Sequence, residues 1–102
     1  MAIYHIVLFK LKPGVTQTQI STLRTAGAAL VGRIPGLRSF KLGPPLASTA
    51  FLAQGWELGV HTVFDNEETL LGYVGHEAHK EFQRLREPMT TEILAFDMEF
   101  DE

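Results

Sequence analysis

The stretch Phe64-Asp65-Asn66-Glu67-Glu68-Thr69-Leu70-Leu71-Gly72-Tyr73-Val74-Gly75-His76-Glu77-Ala78-His79-Lys80-Glu81-Phe82 decides the fold. It reads as a strand end at Phe64, then a helix capped by Asp65 with Glu68 at its third position completing a capping box. That helix stops at Gly75, a good C-cap, and a second one opens at Glu77. The break can bring side chains from either side of it to one place: Tyr73 before it, His79 after it. Imidazole, with an ordinary pKa of about 6.5, is the side chain best suited to proton transfer near neutrality.

Working outward, residues 2–11 are rich in β-branched and aromatic types and stop at Lys12-Pro13-Gly14, a turn signal. Ile3, His5, Val7, Phe9 and Leu11 fall on one face, Tyr4, Ile6 and Leu8 on the other. A strand apolar on both faces is expected to be covered on both. Apolar residues at three- and four-residue spacing predict a helix over 16–34, capped by Thr16 or Thr18 and ended by Pro35-Gly36. A second strand is predicted over 37–42, with Arg38, Phe40 and Leu42 on one face, and a long loop over 43–55. A third strand follows over 56–64, and the helix from Glu77 runs to Arg86, before Pro88. The last strand, 91–100, puts Leu94, Phe96, Met98 and Phe100 on one face.

The order is β-α-β-β-α-β with a split second helix, a ferredoxin-like α+β fold with a four-stranded antiparallel sheet. The helices cover one sheet face. The other, still apolar, would be a large sticky patch unless a second copy packs on it, so the expectation is a homodimer.

A chain of 102 residues with 45% hydrophobic content is expected to form a single domain over 1–102. A net charge of −3, with nine scattered Lys and Arg, argues against nucleic acid as a partner. There are no cysteines, which excludes disulfides, thiolate catalysis and Cys-based zinc sites. The N-terminal apolar run is about half a membrane span and lacks a basic region or cleavage site, so no membrane partner and a cytoplasmic location are expected. No nucleophile elbow, P-loop or dinucleotide fingerprint occurs, and no cofactor is expected.

Three pieces resemble the stress-responsive dimeric α/β-barrel (Dabb) family. The start, Tyr4-His5-Ile6-Val7-Leu8-Phe9-Lys10-Leu11-Lys12, looks like the family's opening strand. Ile34-Pro35-Gly36-Leu37 looks like the turn closing its first helix, and 64–82 looks like its Tyr, then His-Pro-x-His signature. The resemblance spans the whole chain and implies the dimeric barrel. One branch of the family comprises polyketide cyclases, which close a linear poly-β-ketone by intramolecular aldol condensation without a cofactor. By that likeness His79 would be the base and Tyr73 the group that holds or polarises the substrate, with His5 lining the cavity. This chain departs from the pattern twice. Glu77 stands where the family has proline, and Leu58 stands where the cyclase has a further His, with His61 three residues on and on the opposite strand face.

By themselves these residues leave alternatives open. His79 near a helix start is either a base kept neutral by the dipole or a packed histidine bonding a carbonyl. Tyr73 either donates to a substrate carbonyl or bonds the backbone. His5 is either a satisfied core group or a cavity liner. His76 and His79, with Glu77 and Glu81 nearby, lack a fixed third ligand, and no metal is expected. The substrate-binding set is His5, Val7, Phe9, Phe64, His76, Phe82 and Phe96, around an apolar, oxygenated small molecule. Asp97, Glu99, Asp101 and Glu102 read as a solvated tail. The rival functions are a stress or ligand-binding protein without turnover, and a cofactor-independent oxygenase of the dimeric-barrel type.

Overall fold

The computed structural model describes residues 1–102. Strand β1 (Ala2–Leu11) is followed by α1 (Gln17–Ala28), β2 (Leu37–Gly43), β3 (Leu58–Phe64), α2 (Glu67–Gly75), α3 (Glu77–Arg86) and β4 (Thr90–Phe100). The sheet is antiparallel in the order β2-β3-β1-β4. This is the ferredoxin-like arrangement, with the second helix split in two. No helix is long and apolar enough to cross a membrane.

Alternation along the strands sets the two sides of the sheet. Ile3, Val7 and Phe9 of β1, and Leu58, Val60, Thr62 and Phe64 of β3, point under the helices and are buried. There they meet Ile20 and Leu23 of α1, Leu70 and Tyr73 of α2, and Ala78 and Phe82 of α3 in one core. Thr62 is the only buried polar residue; its hydroxyl donates to the His5 carbonyl at 2.8 Å. The helices lie over β2, β3 and β1, and β4 is exposed along nearly its whole length. On the outer face, Tyr4, Ile6 and Leu8 pair with Met98, Phe96 and Leu94. In one copy of the chain this face is open: Phe96 is 60% exposed. The cover expected over β1 exists on its inner side only.

Several boundaries differ from the sequence expectation, each for a local reason. Helix α1 ends at Ala28, six residues before Ile34. The chain then turns through Gly32 at φ +94°, while Leu30 and Ile34 still reach the core and prolong the apolar spacing. Thr16 is the N-cap, in a capping box with Gln19. The second strand does not put Arg38 beside Phe40. A bulge between Leu37 and Ser39 inserts Arg38, so Leu37, Phe40 and Leu42 are buried and Arg38 is exposed. Arg38 instead binds Asp65 (Nε to Oδ1, 2.5 Å) and Glu102. With Asp65 engaged there, Asn66 caps α2 and closes its box with Thr69, not Glu68. The loop after β2 contains a 3₁₀ turn over Ala47–Leu52, and β3 begins at Leu58, two residues after Trp56.

Candidate functional site

The junction of α2 and α3 builds the site. Gly75 is the last residue of α2 and has no left-handed φ; the break falls on His76, extended at φ −72° and ψ 138°. His76 ends one helix and starts the next. Its Nδ1 accepts from the Ala78 N–H at 3.0 Å, so this histidine is the N-cap of α3, and it is not among the residues lining the cavity described next. The expected place of His76 among the substrate-binding residues is thereby corrected.

Across that break Tyr73 and His79 meet, their ring centroids 4.0 Å apart and their planes inclined at 36°. Both line a cavity of about 200 Å³ under the helices, together with His5, Val7, Phe9, Val60, Val74, Phe82, Gln83, Arg86, Ile93 and Ala95. Phe64 stands behind this wall, edge-on to Tyr73 at 4.9 Å, and shapes the site without lining it. Phe96 lies on the other side of the sheet, opposite Ile6, because side chains alternate along β4. Its expected place in the pocket is a second correction; Ala95 of the same strand occupies that side.

His79 Nδ1 lies 3.3 Å from the Val74 carbonyl. A carbonyl only accepts, so Nδ1 carries the proton and Nε2 is left as the basic nitrogen of the neutral ring. Burial is the main force lowering the His79 pKa, with the positive fields of His5 and Arg86 adding to it. The Val74 bond opposes the shift in part. Burial is thus the first cause that favours the neutral ring of His79. Tyr73 is 3% exposed, and burial pushes its phenol up to about 12, so it stays a proton donor across the whole neutral range.

His5 and Asp97 are direct cross-strand partners, and His5 Nδ1 hydrogen-bonds the Asp97 carboxylate. The carboxylate accepts, which orients the imidazole and places its proton on Nδ1. His5 stands edge-on to Tyr73 at 5.9 Å. Asp97 was read from sequence as part of a solvated tail, and the structure corrects this. The β1–β4 register that pairs it with His5 has no signature in the chain. Gln83 and Arg86 were also missed; their spacing from His79 on one helix, four and seven residues, was the available signal. Leu58 is a buried core residue and His61 an exposed one on the outer face, so neither reaches the site. No three His, Cys, Asp or Glu side chains converge closely enough to hold a metal ion.

Fold and site together define a ferredoxin-like α+β protein with a small, mostly apolar cleft that holds a neutral imidazole against a phenol. The stress responsive A/B barrel domain model matches residues 3–100, and the chain belongs to that family. It is 29% identical over 93 residues to the stress-response A/B barrel domain-containing protein HS1 of Arabidopsis thaliana, covering 91% of this chain and 84% of that one. It is 26% identical over 97 residues to olivetolic acid cyclase of Cannabis sativa, covering 95% of each. Among solved structures, a dimeric ferredoxin-like protein of unknown function from Thermobifida fusca superposes with a TM-score of 0.82 at 27% identity, covering 98% of this chain and 92% of that one.

Proposed function

We propose that this chain is a cofactor-free acid–base enzyme that enolises a small oxygenated substrate and cyclises or isomerises it. The observation that carries this reading is the Tyr73–His79 pair, with ring centroids 4.0 Å apart on one cavity and the His79 proton held at Nδ1 by Val74. The likeness to a named cyclase supports it.

In this mechanism His79 Nε2 removes a proton from the carbon next to a carbonyl. The C–H electron pair moves into the new C–C double bond, and the carbonyl pair moves onto oxygen. Tyr73 donates a hydrogen bond to the enolate oxygen as its charge grows, where a buried donor is worth most. The enolate carbon then attacks a second carbonyl of the same molecule, forming the ring bond. The imidazolium returns its proton to the resulting alkoxide, and His79 is restored. His5, oriented by Asp97, is a second imidazole on the same cavity and positions the substrate against Tyr73.

The functional unit in this reading is a homodimer. A second copy covers the apolar face formed by Tyr4, Ile6, Leu8, Leu94, Phe96 and Met98. The Thermobifida fusca neighbour, described as dimeric, supports this.

The catalytic proposal is tested by following deuterium uptake next to the carbonyl of simple ketones and oxo esters in D₂O, by NMR. Wild-type protein is expected to accelerate exchange, and His79→Ala to lose about 10²- to 10⁴-fold of that rate. Full exchange by His79→Ala sinks the assignment. A ligand-induced thermal shift that survives loss of both His79 and Tyr73, with no exchange, identifies a binding protein instead.

A further inference from the structure

Helix α3 presents His79, Phe82, Gln83 and Arg86 to the cavity, at positions i, i+3, i+4 and i+7 of a single helical face. Arg86 is the only lysine or arginine among the cavity-lining residues, and it is half-buried there. Its situation differs from that of the neighbouring arginines. Arg33, Arg38 and Arg84 each pair with a carboxylate of the chain, and Arg24 donates from Nε to the Leu42 carbonyl at 3.0 Å, whereas Arg86 has neither kind of partner. Its side chain donates only a long hydrogen bond, 3.4 Å from Nη1 to the Thr90 hydroxyl, and its guanidinium lies 5.4 Å from the centroid of the Phe9 ring. The carboxylates nearby are engaged elsewhere: Asp97 by His5, Glu92 by Lys10, and Glu57 by the Leu11 N–H.

A half-buried cation in an apolar cleft is costly unless something supplies the opposite charge. We propose that the substrate supplies it: Arg86 binds a carboxylate, so the site is built for a small oxo acid rather than a neutral ketone. The planar fork of a guanidinium matches a planar carboxylate through two parallel hydrogen bonds. The single arginine in the lining suits the single charge of a carboxylate. A cavity of about 200 Å³ suits a molecule of this size.

The helix also sets where the charge sits relative to the reacting carbon. Seven residues at about 1.5 Å each separate the two Cα atoms by roughly 10 Å, and helical side chains lean back toward the N-terminus, which brings Arg86 toward His79. The guanidinium field reaches both Tyr73 and His79, opposing in part the rise that burial gives Tyr73 and adding a little to the fall at His79. The carboxylate is therefore expected several bonds from the carbon that loses its proton.

This inference names the substrate class of the acid–base site proposed above and rests on that reading, but its test separates the two. The probes are 4-oxopentanoate and 5-oxohexanoate, each compared with its methyl ester. Binding is followed by NMR titration and turnover by deuterium exchange, in wild type, Arg86→Met and Arg86→Lys. Wild type is expected to favour the acids over the esters by about tenfold to a hundredfold, the usual range for a hydrogen-bonded charge. Arg86→Met is expected to erase that preference, read as the ratio of acid to ester binding within the variant, and Arg86→Lys to restore part of it. Acid-selective, Arg86-dependent binding without exchange would uphold the carboxylate site and overturn the catalytic reading. Equal handling of acid and ester by wild type, or a preference that Arg86→Met retains, would overturn the carboxylate site. So would failure of every acid to bind.

Discussion

In the proposed reaction Tyr73 and His79 are tuned by the same cause, removal from water, acting on groups of opposite charge type. Burial disfavours the phenolate and the imidazolium alike, so the donor stays protonated and the base stays free. The pH dependence follows from the signs. The His79 pKa is lowered, so catalysis is expected to fall only as the pH drops below the ordinary histidine range near 6.5. Tyr73 is held up near 12, so no loss from its ionisation is expected between neutrality and pH 10. A profile of kcat/KM that instead rises with acidification would contradict His79 as the base. Both residues were legible in sequence because their types and their separation across a helix break were visible. Asp97 was not, since an acidic residue near a chain end looks solvated until the β1–β4 register sets it opposite His5.

At the scale of the element, the order of strands and helices followed from periodicity, and the caps and ends were where reading failed. Asp65 and Asn66 are both good caps; the choice went to Asn66 because Arg38, displaced by a bulge, claims Asp65. A bulge leaves no mark in local composition, so neither consequence could be read off. The ends of α1 show a different tertiary effect. A Cβ added to Gly27 would lie 2.1 Å from the ring of Phe40, so α1 can sit this close to β2 only through a residue without a side chain. Gly27→Ala is expected to cost about 1–3 kcal/mol, since Phe40 is buried and has little room to move. Chemical denaturation checks this, and a neutral effect would mean that Phe40 can repack.

For the whole molecule, the outer sheet face dominates. Phe96, Met98 and Leu94 remain between 45% and 60% exposed in one copy, in a row beside the half-buried Tyr4, Ile6 and Leu8. Phe96→Glu places a charge in the middle of that row and is expected to convert a dimer to a monomer, read by analytical ultracentrifugation. An unchanged dimer would locate the interface elsewhere. The alternation of β4 then has a practical corollary. Asp97 touches the candidate site and Phe96 the proposed interface, although they are adjacent in the chain. Engineering can therefore treat the strand as two interleaved codes, odd positions for ligand choice and even positions for assembly. Insertion or deletion of a single residue in β4 would exchange the two and damage both at once.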